Sequence, residues 1–239
     1  MSTPPPAVAA LRVLGVAVST LLVLALALGV ATSFARTTAD ETFSVAGVDR
    51  VLVSVEAGEV VVEPADDGRV SVRLTAEGTW ATPEAERRQD GSTLVLTSRC
   101  GPTIGFARCD AGYRIGVPDG VDVEVRATAG RVTVDGIDGD VVARADAGDV
   151  RLTDLRSSRV EAHVEVGLAR VTFESVPDDV RATAEVGPVE VVLPLDGEPY
   201  AVEARADVGE ASVDVRTDPQ SPRRVTAVAS VGAVSVSGR

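Results

Sequence analysis

From residue 121 onward the chain alternates apolar and polar positions, and the alternation is broken at intervals by a glycine. Gly130, Gly148, Gly167, Gly187, Gly209 and Gly232 are each followed by apolar residues two and four places on, as in Val132 and Val134, Val189 and Val191, or Val234 and Val236. The alternation also runs backwards from each glycine, as in Val141, Ala143, Ala145 before Gly148 and Val180, Ala182, Ala184 before Gly187. A period of two sends successive side chains to opposite faces, so each segment predicts a half-buried strand. A repeat therefore reads as strand, glycine corner, shorter strand, loop. One such unit cannot bury its apolar face, whereas stacked units share a continuous core. The pattern predicts an all-β fold, a parallel β-solenoid of about six to seven coils of two strands each, with equivalent residues ~4.8 Å apart along the stack.

The glycine spacings are 18, 19, 20, 22 and 23 residues, and the flanking strands keep their phase, so the growth falls in the second corner. Loops that lengthen on one edge are where solenoids place binding surfaces, although unconstrained loops also drift in length without function. A related unit stands earlier, from Val51 through Gly58 to Val62. Between it and the regular array lie strand-like runs at 70–74, 93–97 and 113–117. Residues 36–118 thus read as an irregular N-terminal β region that starts and caps the stack, and 119–239 as regular repeats. Pro118-Asp119-Gly120 supplies turn chemistry at the boundary. An antiparallel sandwich is the competing architecture. Its inner faces would carry more aromatics and would not repeat one glycine register.

Residues 13–34 contain no charged side chain. As a helix this run would cover ~33 Å, enough to cross a hydrocarbon core, and it predicts a transmembrane signal anchor over 13–35. A cleaved signal peptide is the alternative, since Ser33, Phe34 and Ala35 offer a cleavage-like site, but the apolar region of such peptides runs only ~7 to 15 residues. Arg12 and the amino terminus precede the run, and Arg36, followed quickly by Asp40 and Glu41, comes after it, from which 1–12 reads as a cytoplasmic tail. The expected location is the cell membrane, single-pass, with the C-terminal domain extracytoplasmic. In that compartment Cys100 and Cys109, the two cysteines of the chain, are expected to form a disulfide.

Composition sharpens this picture in three ways. Aromatics make up 3% of the chain, so a core of Val and Ala has to be thin and repetitive. Every basic residue is Arg and no Asn occurs, the usage expected of a GC-rich bacterial genome. The net charge of -13 argues against a nucleic-acid partner, whose phosphates need clustered cations.

Gly130-Arg131-Val132-Thr133-Val134 followed by Gly136-Ile137-Asp138-Gly139, with Tyr113 to Pro118 just before, resembles the bacterial β-strand-repeat proteins of unknown function catalogued as candidate adhesins. The resemblance covers roughly residues 48 to 239. It implies an envelope protein without an assigned activity, and it carries over no catalytic residues.

Candidate chemistry is sparse. His163, the sole histidine, falls on an outward strand position and reads as a surface residue. No nucleophile elbow, phosphate loop or dinucleotide fingerprint occurs. Acids such as Asp135, Asp138 and Asp140 are too numerous for any one pair to suggest sugar cleavage, and aromatics to stack a sugar are few. Two places before the glycines stand Asp146, Glu165, Glu185 and Asp207, which stacking would line up as a possible cation row. Arg126, Arg144, His163 and Arg205, two places earlier, favour ordinary charge pairing instead. No cofactor and no metal are expected.

The expected function is a non-enzymatic envelope protein presenting an extracytoplasmic solenoid for binding or self-association. An envelope-stress sensor and, more remotely, a polysaccharide-active enzyme are the alternatives. The last repeat ends at Val236, so the C-terminal coil is expected to lie open, ready to meet an envelope component or a second copy.

Overall fold

A computed structural model describes residues 15–27, 29, 36–79, 83–101, 109–195, 197 and 199–239. The chain is predominantly β, and among the described residues sixteen strands join in one mixed sheet. Residues 15–27 are helical and their side chains are exposed. Among the described residues no helix is long and apolar enough to cross a membrane. The expected span over 13–35 is described only at 15–27 and 29, which are helical. Residues 13, 14, 28 and 30–35 of that span, and the tail 1–12, lie outside the described residues.

The strands in chain order are β1 Arg36–Val45, β2 Arg50–Pro64, β3 Val70–Thr79, β4 Glu84–Asp90, β5 Thr93–Arg99 and β6 Cys109–Val117. They continue with β7 Asp122–Asp135, β8 Val141–Leu155, β9 Arg159–Val166, β10 Ala169–Phe173, β11 Asp179–Val186 and β12 Val189–Leu193. The last four are β13 Ala201–Val208, β14 Ala211–Asp214, β15 Arg224–Val231 and β16 Val234–Gly238.

Equivalent positions of the repeats pair in parallel register. Val51 lies beside Val123, Val123 beside Val141, Val141 beside Val160, and Val160 beside Val180. Beyond the corner, Val132 meets Val150, Val150 meets Ala169, and Ala169 meets Val189. These inward columns are buried, with Ala143, Ala162, Ala182 and Val191 all fully so. Stiff β-branched Val suits the pleat, and Ala in the columns before the glycine leaves little bulk between the elements that face each other.

The layers do not follow chain order. β11 pairs with β15 and not β13, and β15 in turn pairs with β13. Likewise β12 pairs with β16, and β16 with β14. The last repeat is therefore inserted between the two that precede it. The expectation of an open C-terminal coil is overturned, because β15 and β16 have a strand on both sides and the end of the stack belongs to β13 and β14. This order also explains the longest corners. The link 194–200 has to pass over a vacant layer, and the link 215–223 has to come back to fill it. Arg239 closes the inserted layer: its Nε donates to the Phe173 carbonyl at 3.2 Å, and its guanidinium meets Asp154 at 2.7 Å.

At the other end the sheet turns antiparallel, which corrects the expectation of uniformly parallel coils. β5 and β6 form the layer before β2, β5 beside Val51 to Val55 and β6 beside Val60 to Pro64. Outside them β4 runs antiparallel to β5, and β3 antiparallel to β6, with β1 outermost. Gly91 and Ser92 alone link β4 to β5, and a two-residue turn can join only antiparallel neighbours.

Candidate functional site

The corner glycines form one column, in the order Gly58, Gly130, Gly148, Gly167, Gly187, Gly232, Gly209. The Gly187 N–H donates to the Val231 carbonyl at 2.8 Å and the Gly232 N–H to that of Val208 at 2.9 Å, so the exchanged layer order reaches the corner. Gly187 has φ 142°, and a Cβ on it would overlap the carbonyl oxygen of Gly167. Backbone closeness between layers is thus what requires glycine at this corner.

In the layer of β5 and β6 the corner is built differently. Cys100 and Cys109 are bonded, with Cα atoms 5.9 Å apart, and tie the end of β5 to the start of β6. Ala111, just past Cys109, lies against Gly58. The Cys100 N–H donates to a carboxylate oxygen of Glu56 on the next layer at 2.5 Å.

Of the carboxylates expected to form a row, Glu165 and Glu185 lie on adjacent strands, as does Asp146 beside Glu165. Ser230 on the inserted layer comes between Glu185 and Asp207. Among the described residues no group of three or more acidic, His or Cys side chains could hold a metal ion. The arginines two places earlier also pair differently from expectation. Arg144 reaches Glu161 at 2.7 Å and Glu124 at 3.8 Å, and Arg126 reaches Glu124 at 2.7 Å. Arg205 does meet Asp207, at 2.5 Å. His163 Nδ1 lies 2.9 Å from the Thr183 hydroxyl on the neighbouring strand, a part-buried contact.

Two surface features escaped the sequence reading. The first is a ridge of Val166, Val186, Val231 and Val208, stacked in register and largely solvent-exposed. Its signal was present, since the residue before the glycine is Ala at 57, 129 and 147 and becomes Val in the later repeats. The second is the uncovered edge of β13 and β14. Val202, Ala204 and Ala206, which continue the buried columns, are only partly covered there, and Val213 is 44% exposed. A concavity of about 820 Å³ opens on this end, lined among others by Val202, Glu203, Val213, Val215, Thr217 and Pro219.

No family model matches the chain, and no curated protein matches it. Among solved structures, one of a candidate cell-adhesion protein from Clostridium sporogenes aligns at 12% identity and a TM-score of 0.47, over 85% of this chain and 100% of that one. One of a candidate adhesin from Bacteroides fragilis aligns at 13% identity and a TM-score of 0.37, over 85% of this chain and 97% of that one. One of a candidate lipid-binding protein from Parabacteroides distasonis aligns at 8% identity and a TM-score of 0.27, again over 85% and 97%. Scores this low do not establish a common fold.

Proposed function

We propose that this chain is a non-enzymatic, adhesin-like protein of the bacterial cell envelope, held by its apolar N-terminal run and displaying residues 36–239 outside the cytoplasm as a β-solenoid for binding or self-association. The disulfide between Cys100 and Cys109 carries the reading. It staples the layer on which the whole stack begins, and such structural bonds persist in oxidising compartments. Layered repeats suit a protein whose task is to present surface. The long face of the stack is closed by ion pairs across layers, such as Arg159 to Asp140 and Arg170 to Glu190, so partners are expected at the ridge and at the uncovered end.

Alkaline phosphatase fused after Arg239 tests the topology. Activity in a carbonate-resistant membrane fraction is the expected result. An inactive fusion would overturn the external location, and active soluble fusion would replace the anchor by a cleaved signal peptide.

A further inference from the structure

We propose that the uncovered edge of β13 and β14 is completed by a second copy of this chain, stacked end to end about a two-fold axis, with β13 antiparallel to its counterpart and Ala204 at the centre of the pair. The inference rests on the display reading above and names the partner.

Three observations lead to it. First, among the described residues β13 pairs only with β15 and β14 only with β16, so each offers one side of its backbone to no described strand. The loop 215–223 covers no more than the start: the Tyr200 N–H donates to the Arg216 carbonyl at 3.0 Å, and the Asp218 N–H to the Tyr200 carbonyl at 2.9 Å. Open backbone edges favour pairing with another strand. Second, the apolar columns run off this edge uncovered, through Val202, Ala204 and Ala206 on β13 and Ala211 and Val213 on β14. A further layer of the same kind would bury them as Ala182, Ala184, Val189 and Val191 are buried within the stack.

Third, the charges select the occupant. Elsewhere ion pairs join neighbouring layers, as in Arg50 with Asp122 and Arg144 with Glu161. Glu203 and Arg205 have Thr226 and Val228 beside them on β15, neither of which is charged. Glu203 makes no ion pair among the described residues, and Arg205 makes one within its own strand, to Asp207. An antiparallel pair centred on Ala204 sets Glu203 of each copy opposite Arg205 of the other, twice over. It also keeps Val202, Ala204 and Ala206 on the inner face. A pair centred on Arg205 would instead oppose Glu203 to Asp207 and Arg205 to itself, and like charges directly opposite destabilise a sheet. Two-fold symmetry makes such an interface self-complementary and closed, so association stops at the dimer.

Sedimentation of the full chain in detergent micelles tests this, with an oxidised Cys100–Cys109 bond and unchanged circular dichroism as the check that each variant folds. The wild type is expected to show a concentration-dependent dimer. Glu203→Arg should weaken it about tenfold, and the exchange Glu203→Arg with Arg205→Glu should restore it to within about threefold, since close interfacial charge pairs are coupled. Ala204→Cys should cross-link to a second copy under mild oxidation, and Glu185→Cys, on an outward position within the stack, should not. A monomer at every concentration would overturn the proposal, as would a dimer indifferent to Glu203→Arg or a foreign polypeptide bound at this edge. The phosphatase fusion reports location whether or not the chain pairs, so a monomeric protein with active fusion would fail this inference alone.

Discussion

The two ends of the stack are made from the same kind of layer and finished in opposite ways. At the N-terminal end the layer of β5 and β6 is covered by antiparallel β4 and β3, with β1 outermost. β4 is exposed throughout and carries Glu84, Glu86, Arg87, Arg88 and Asp90, a density of charge that discourages further pairing. Arg87 ties it to β1, lying 4.1 Å over the Phe43 ring and 3.6 Å from Glu41. At the other end β13 and β14 repeat the motif of the inner layers with no strand outside them. Identical patterning therefore yields a buried column in one place and a partly bare one in another, and the neighbour decides which.

The largest effect should come from a charge in a buried column. Ala182→Asp places a carboxylate between layers where Ala182 is fully buried, and should cost about 4 kcal/mol in urea unfolding. Ala204→Asp occupies the same column at the bare end and should cost the monomer about 1 kcal/mol, because its carboxylate reaches water wherever no second copy covers it. Equal losses at the two sites would remove the contrast between inner and end layers.

Breaking the staple at the finished end comes next. Cys100→Ser with Cys109→Ser should lower stability by about 2 to 3 kcal/mol, the loop-closure estimate for a ring of roughly ten residues. Hydrogen exchange should speed up first in β3 to β6, while β13 to β16 stay unchanged. Loss spread evenly along the stack would mean that the staple does not act on the cap.

Arg239→Ala probes the inserted layer. It removes the donation to the Phe173 carbonyl and the pair with Asp154, both partly exposed, and should cost about 1 kcal/mol. Faster exchange in β16 without change in β1 to β6 is the expected signature.

The smallest effect concerns alkaline pH. Burial pushes the Tyr113 phenol above its ordinary value of 10.0, with the Ser98 hydroxyl opposing the shift, and burial likewise pushes up Tyr200 against the charge of Arg223. A raised folded-state value means that the folded chain holds the proton more tightly than the unfolded one. The stability this represents is present below about pH 10 and is lost as pH rises through the raised value. Tyr113→Phe and Tyr200→Phe should each flatten that fall. The measurement is unfolding free energy between pH 9 and 11, on the scale of ordinary tyrosine titration.

Much of the local structure was legible because it depends on neighbours in the chain. The period of two assigned Val141, Ala143 and Ala145 inward and Arg144 outward, and the glycine register marked each corner. Proximity in the sequence and the expected compartment pointed to the bond between Cys100 and Cys109, though not to its place at a corner of the first layer. The ion pairs were less legible. The sequence pattern showed an arginine column beside the carboxylate row without naming partners, and the parallel register brings Glu161 and Glu124 within reach of Arg144.

The sequence by itself thus determined the strand class, the inward and outward faces and the corners, since each follows from steric preferences over a few residues. Only the tertiary structure decided the order of layers, the antiparallel cap and which edge is bare. The physical reason is that β11, β13 and β15 present nearly the same inward series, Val180-Ala182-Ala184, Val202-Ala204-Ala206 and Val225-Ala227-Ala229. Any of them can pair with any other in register, so the choice falls to the reach of the links 194–200 and 215–223 and to the contacts of Arg239, which no single repeat contains.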